Sequence, residues 1–456
     1  MTRLLKGLCA SLAVLSFQMS APAADDGWKA GVAKRVITPS QSTWMAGYAA
    51  RTKPSEGKVH DLWAKAVALE DADGRKALLV SVEVCGLPRD LSNEIRDELK
   101  KRFGLERDQI VLASTHTHCG PVVGSNLQPM YALDAEQKKR VDDYAAFLKR
   151  TMIEACAAAI ENFQPASLSY GLGRCGFAMN RRENSERDSE KLRDELKLKG
   201  PVDHDVPVLH LRTRAGSSLA IIYGYACHCT TLDFNKFCGD YAGFASAAIE
   251  RANPGATAMY IPGCGGDQNP APRRTLPLAR RHGEALGWSV DYTLKYNLTP
   301  ITSDAPFKSN YEEINLPFAV LPTREKLIAE SKSKDGSLSR RALMLLAQLD
   351  RDGKLPATYP YPITVWRLDS LSWVFLGGEV TVDYGLRLKR NLDGWRTWVS
   401  AYCNDVMGYI PSERVLKEGG YEGATSMIYY GQPTVWAEGI EDRIIEGVAR
   451  GLEAVR

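Results

Sequence analysis

The sequence predicts a layered α/β fold, a mixed β-sheet core with flanking helices and a metal site at strand ends. Short β-branched runs alternate with segments of helical apolar spacing along the whole chain. Several strand-like runs stop abruptly in histidine, glycine or a carboxylate. The chain has 456 residues, 44% of them hydrophobic, which suffices for a large core.

The first residues stand apart from the fold. Arg3 and Lys6 precede an apolar run from Leu8 to Phe17, and Ala21 and Ala23 stand in the A-x-A arrangement. This is the order of a secretory signal peptide, residues 1–24, cleaved near Ala23. The run is too short to span a bilayer, which needs roughly 20 apolar residues. The expectation is an exported protein, periplasmic or extracellular, with residues 25–456 forming one domain.

Residues 28–40 read as a short strand closing in a turn. "AKAVALED" and "RKALLVSVEVCGL" read as a strand pair joined by the Asp-Ala-Asp-Gly turn at 71–74. The spacing predicts a helix over 92–103, with Gly104 as its stop. "QIVLAST" returns to strand, and 135–162 is a long amphipathic helix. Residues 183–200 are dense in charge and read as a solvated excursion. Strands at 205–212 and 218–227, a helix at 241–252, a strand at 256–262 and a helix at 274–297 follow. Residues 322–352 are helical and charged, and "TVWRLDSLSWVFLGGE" reads as two strands around a tight turn. No repeat, and no Ser/Gly-rich or Pro-rich linker, forces a domain cut.

Composition removes some classes. Lys and Arg number 58 against 55 Asp and Glu, so nothing points to nucleic acid. No later segment is long and apolar enough for a transmembrane span, which leaves only membrane-surface contact open. Setting Cys9 aside with the leader, nine of the ten cysteines remain. Export permits disulfides, and an odd set leaves at least one free thiol.

The chemistry centres on "VLASTHTHCGPVV", where a strand ends in His116 and His118. In an extended segment, side chains two apart point the same way, about 7 Å apart. Both imidazoles then face one cavity, either sharing a metal or dividing metal binding from proton transfer. The plain alternative is two hydrogen-bonded polar residues at a strand end. His228, in "AIIYGYACHCTTL", repeats the pattern on another strand, and strand ends are where α/β folds gather ligands. Cys227, Cys229 and Cys238 admit a structural zinc site, but adjacent strand residues face opposite ways and chelate one ion poorly. "YIPGCGGDQNP" ends a third strand in a glycine-rich turn, either simply tight or bringing backbone N–H groups to a substrate. It lacks the Lys-Ser/Thr of a phosphate loop. In "WVFLGGEVTVDYG", Glu379 follows a strand and two glycines, placed to cap a helix or to ligate a metal. Two His, a Glu and an open position form a recognised catalytic zinc set.

The blocks "STHTHCGP", "CHCTT", "GGDQNP", "GGE" and "GYIPS…YEGA" occur in this order. In order and approximate spacing the chain resembles the catalytic domain of the neutral (non-lysosomal, alkaline) ceramidase family, over about residues 28–455. The resemblance implies one zinc ion per chain, held by His116, His228, Glu379 and Tyr409. It further implies His118, Arg181 and Tyr421 near the scissile amide, with Arg182 a rival for Arg181. Tyr409 and Tyr421 keep the family's spacing of twelve residues. The implied reaction is hydrolysis of an N-acyl substrate by water activated at zinc, with Arg181 and Tyr421 on the oxyanion and His118 passing a proton to the amine.

Two departures bear on the substrate. Where the family carries a serine that meets the primary hydroxyl of the sphingoid base, this chain has Asn269. The family's C-terminal immunoglobulin-like domain is not expected, because the sequence ends soon after "GVARGLEAVR". The expected substrate is therefore ceramide or a related small or lipid-like amide. Alternatives are an exported binding protein that keeps the fold without turnover, and a metal-dependent hydrolase of a non-lipid amide or ester. A metallo-β-lactamase run is broken at His118-Cys119-Gly120. A barrel amidohydrolase expects later histidines, and none follows His282.

Overall fold

β-Branched and aromatic runs bounded by turns make up two main sheets and two short strand pairs in the computed structural model, which describes residues 27–303 and 305–456. The short pairs are Ala178–Asn180 with Gln268–Pro270 and Glu379–Val380 with Tyr409–Ile410. The signal-peptide expectation lies outside the described residues. In chain order the strands are β1 (Trp28–Val36), β2 (Trp63–Glu70), β3 (Lys76–Val82), β4 (Ile110–Ser114) and β5 (Gln164–Arg174). Next come β6 (Ala178–Asn180), β7 (Asp205–Thr213), β8 (Ser218–Tyr225), β9 (Thr257–Pro262), β10 (Gln268–Pro270) and β11 (Leu298–Ile301). The last are β12 (Lys308–Pro317), β13 (Thr358–Leu368), β14 (Leu371–Leu376), β15 (Glu379–Val380), β16 (Thr397–Ser400) and β17 (Tyr409–Ile410).

The large sheet runs β4-β3-β2-β1-β5-β7-β8-β9, with β11 also on β5. Its centre is antiparallel, while β4 pairs parallel to β3 at one end and β9 parallel to β8 at the other. The sheet curls until those ends meet. Ser81 Oγ on β3 donates to the Tyr260 carbonyl of β9 at 2.6 Å, and Lys65 Nζ on β2 to that of Ala258 at 2.7 Å. Both edge strands thus finish in the same place, with β8 beside them. A second sheet, β12-β13-β14-β16, ends in parallel β14 and β16.

Four layers result, helices, large sheet, small sheet, helix. One face of the large sheet packs Leu78, Val80 and Leu112 against Ile95, Leu148 and Met152 of the helices Arg89–Phe103 and Ala135–Glu161. The other face meets the small sheet through Leu209, Ile222, Trp366, Trp373 and Trp398. The last two rings stack with centroids 3.9 Å apart. Ile440, Ile444 and Val448 of the C-terminal helix cover the outer face of the small sheet.

The expected α/β layering is observed, and most of the expected elements appear within a few residues. Gly104 stops its helix with φ 69°. The 71–74 turn is held by Asp71 Oδ1, which accepts from the Asp73 and Arg75 amides. Residues 322–352 divide into helices Arg324–Glu330 and Gly336–Asp352, because Asp335 caps the second through the Ser337 and Leu338 amides. The 183–200 excursion contains one short helix, Ser189–Asp194. The strands β5, β6, β10, β11, β12, β15, β16 and β17 were not expected from the sequence. No helix among the described residues is long and apolar enough to cross a membrane.

The helix Ala135–Glu161 lies so close to β1 that a Cβ on Gly31 would stand 1.9 Å from the Ala159 carbonyl oxygen. Gly31→Ala is expected to destabilise the fold by about 1–3 kcal/mol through overpacking, read as a lower urea midpoint at unchanged m-value.

Candidate active site

Each strand end delivers one side chain. After β4, the His116 amide donates to the Val84 carbonyl at 3.0 Å, and the residue turns left-handed at φ 60°. Such backbone costs a non-glycine residue of order 1–3 kcal/mol and persists where the surroundings impose it. This corrects the reason for expecting His116 and His118 to share a cavity. The strand has already ended, and a turn, not the period of two, brings their rings together with centroids 4.7 Å apart. β8 ends at Tyr225, and the His228 amide then donates to the Gln268 carbonyl at 3.1 Å. Glu379 and Tyr409 face each other in register in the parallel pair β15–β17. The sequence left open whether Glu379 caps a helix; the N-cap of the helix Val382–Asn391 is Thr381.

The imidazole tautomers follow from their partners. Nδ1 of His116 lies 2.7 Å from the Cys85 carbonyl, and Nδ1 of His228 2.7 Å from that of Gly265. A carbonyl only accepts, so each Nδ1 carries the proton and each neutral ring presents its Nε2 lone pair. Both lone pairs meet Glu379 Oε2, at 3.0 Å from His116 and 2.9 Å from His228. All three groups are buried, and Oε2 has no hydrogen-bond partner. Three converging acceptors need a positive charge between them. Donors on a tetrahedral ion with bonds of roughly 2.0–2.1 Å sit about 3.3 Å apart, close to these separations. The donor set therefore fits a zinc-like cation. A second grouping, Cys85, His116 and His118, also converges, but Nδ1 of His116 is committed to the Cys85 carbonyl. The Tyr409 hydroxyl lies 3.1 Å from His228 Nε2, and its ring stacks on that imidazole.

The electrostatics agree. Burial opposes charge on His116, but Glu379 and then Cys85 outweigh it and hold its pKa well above the ordinary value, so a proton competes with a cation for the same Nε2 lone pair. Burial likewise opposes charge on Glu379, yet His116 keeps the carboxyl well below its ordinary range. His228 is pushed down to about 4 by burial and by Arg181. His118 goes well below its usual value by burial and by His116 and His228. The pocket favours one positive charge beside Glu379 and disfavours a second on the flanking rings.

The structure brings the remaining expected residues to the same place. His118 Nε2 is 3.0 Å from His116 Nε2, and its Nδ1 is buried without a partner. Arg181 donates through Nη2 to the Tyr409 hydroxyl at 3.0 Å, through Nη1 to Asn269 Oδ1 at 3.3 Å and through Nε to Glu422 at 2.7 Å. Its rival Arg182 turns to Glu418 and Glu422. Tyr421 sets its ring 5.3 Å from Tyr409 and is 39% exposed, at the rim. Asn269, on β10, opposes Met179 of β6.

Other contributors were missed. Tyr430 donates its hydroxyl to Glu379 Oε1, fixing the carboxylate so that Oε2 faces the histidines; nothing in "MIYYGQP" marks it. Tyr402, left-handed at φ 59°, packs its ring 4.4 Å from His116. The glycine-rich loop serves close packing: a Cβ on Gly265 would meet the Cys227 amide at 2.7 Å, and one on Gly266 the Glu379 carbonyl at 2.6 Å. All nine described cysteines are buried free thiols. Cys227, Cys229 and Cys238 join no metal-holding group among the described residues.

Residues 28–263, just over half of the chain, match the family model described as neutral/alkaline non-lysosomal ceramidase, N-terminal. The chain belongs to this family. It is 25% identical over 249 residues to neutral ceramidase A of Dictyostelium discoideum, covering 53% of this chain and 34% of that protein. With neutral ceramidase of Pseudomonas aeruginosa it is 26% identical over 231 residues, 49% of this chain and 33% of that protein. The chain thus matches about a third of the length of these ceramidases. The crystal structure of the Pseudomonas aeruginosa ceramidase superposes with a TM-score of 0.66 at 19% identity, over 87% of this chain and 70% of that one. A ceramidase complexed with C2 gives 0.68 at 18% identity, over 89% and 73%. The ceramidase fold is therefore shared well beyond the region of recognisable sequence.

Gly47 supports the outer wall of the site at φ 94°, where an added Cβ would stand 2.3 Å from His118 Nδ1. Gly47→Ala is expected to push His118 out of its 3.0 Å contact with His116, leaving the Glu379 contacts in place. A crystal structure of the variant checks this.

Proposed function

We propose that this chain is an exported zinc-dependent amidohydrolase that cleaves an N-acyl amide. The observation that carries the reading is Glu379 Oε2, buried and without a hydrogen bond between two imidazole lone pairs. Membership of the ceramidase family supports the amide as the bond attacked. The charged, apolar and small-residue order of residues 1–24 supports export. The fold asks nothing of an oxidising compartment, since its nine described cysteines are unpaired.

His116, His228 and Glu379 would hold the ion, with Tyr409 beside them. When bound, zinc supplies Lewis acidity and brings the pKa of water to roughly 7. The chain's own residues do the rest. Arg181 is charged at all relevant pH, and its three side-chain bonds use three of its five N–H donors. It can therefore hold a developing oxyanion without reorganising, and Tyr421 at the rim adds a hydroxyl donor. His118, kept neutral by burial, can accept a proton at Nε2 and return it to the departing amine. Tyr430 keeps the Glu379 carboxylate in its orientation.

Glu379→Ala is expected to leave the protein folded but without zinc by elemental analysis, and inactive on N-acyl amides. Full activity in this variant contradicts the assignment. Tyr430→Phe should keep the ligands but weaken zinc binding about 10–100-fold, as loss of an outer hydrogen bond does. A competition titration against a chromophoric chelator measures that affinity, and activity should return at saturating zinc.

A further inference from the structure

The imidazoles of His116 and His228 are each fixed from behind by a carbonyl, but His118 is not. Its Nδ1 is buried without a partner, while its Nε2 points at His116. Packing takes the place of the missing hydrogen bond. One neighbour is the backbone of Gly47, so close that an added Cβ would overlap both Nδ1 and Cγ of the ring. The other is Tyr48, whose ring meets the imidazole with centroids 4.8 Å apart at 61°.

Tyr48 is itself held at two points. Its hydroxyl donates to the Leu232 carbonyl at 3.0 Å, and the Arg51 guanidinium lies 4.8 Å from its ring centroid. A cation over an aromatic face is attracted by the ring quadrupole, which favours one plane for the tyrosine. Arg51 is buried, 9% exposed. It donates through Nη1 to the Ala46 carbonyl, and through Nη2 to the carbonyls of His118 at 2.8 Å and Phe234 at 3.2 Å. Its Nε donates to Asn235 Oδ1 at 3.2 Å. No carboxylate is among these acceptors, and burying a charge in that way is costly. What the four charge-assisted bonds secure is a junction of three segments: the loop 44–51, the turn of His118 and the loop that follows His228. The guanidinium therefore grips His118 twice, directly at its carbonyl and through Tyr48 at its ring.

Resting on the amidohydrolase reading above, we propose that Arg51 and Tyr48 are positioning residues for His118, holding its Nε2 toward the ion site by packing alone. Neither makes a hydrogen bond to His116, His228, Glu379 or Tyr409, so their effect on turnover passes through His118. An acid–base group serves only atoms within hydrogen-bond reach, and a misplacement of about 1 Å costs on the order of 100-fold.

The test measures zinc content, kcat and KM of the zinc-loaded protein on 4-nitroacetanilide and on a short-acyl ceramide. Tyr48→Leu is expected to retain zinc, leave KM unchanged and lower kcat about 10–100-fold. Arg51→Lys keeps the charge but not the fork of donors, and should do the same. Tyr48→Phe keeps the ring and should match the unaltered protein. In a His118→Ala background, Tyr48→Leu should cost no further kcat, because no imidazole is left to place. An equal loss in that background, a loss of zinc, a loss carried by KM, or kcat unchanged in both Tyr48→Leu and Arg51→Lys overturns this inference and leaves the amidohydrolase reading standing. No turnover of either amide by the unaltered protein overturns both.

Discussion

A carboxylate oxygen buried without a hydrogen bond sits 2.9 and 3.0 Å from two imidazole nitrogens, and the surrounding structure is arranged to hold it there. Each ring is fixed from behind, by the carbonyl of Cys85 or of Gly265, so neither can turn its N–H toward Glu379. The other carboxylate oxygen is taken by Tyr430. Unfavourable contacts of this kind survive only where packing over-determines them and a cation repays their repulsion. The left-handed turn at His116 is part of the same imposition.

The scaffold behind the site is a knot of backbones. Curling of the large sheet brings the ends of β4, β8 and β9 together, and the glycine-rich loop after β9 packs against the chain on both sides, at Cys227 and at Glu379. Asp267 ties three segments at once. Its carbonyl accepts from the Arg181 amide at 2.9 Å, Oδ1 from the Val382 amide at 2.9 Å and Oδ2 from Asn180 Nδ2 at 3.0 Å. The loop carrying Arg181 and the helix start after Glu379 are thereby locked to the strand end that supports His228. Rigid support of this kind keeps catalytic groups within the few tenths of an ångström that chemistry tolerates.

Two environments meet at the centre. Inside, buried aromatic rings and imidazoles surround one point suited to a positive charge. Outside, paired arginines and glutamates form a polar wall, and Arg181 belongs to both, touching Tyr409 on one side and Glu422 on the other. Family membership fixes the fold. The outer half, carried by β6, β10 and the segment after Ser412, lines an open cleft with polar and charged side chains, where a substitution changes what is bound without repacking a hydrophobic core.

By itself the sequence determined the alternation of strands and helices, because apolar periodicity and turn chemistry act over a few residues. Four of the strand-end blocks could be read for the same reason: histidine after a small-residue run, or glutamate after paired glycines, is a local signal. Three members of the donor set were nameable because His116, His228 and Glu379 each sit in such a block, whereas Tyr409 came only from the family resemblance. What only the tertiary structure decided was everything that needs two distant segments at once. The choice of Arg181 over Arg182 depends on which guanidinium reaches Tyr409, 228 residues away. Tyr430 carries no local mark and gains its role from lying against Glu379. The lone-pair tautomers come from carbonyls on other loops, and the reason His116 meets His118 is a left-handed turn that a strand pattern does not encode. Local rules write the elements, and long-range backbone contacts decide which atoms converge.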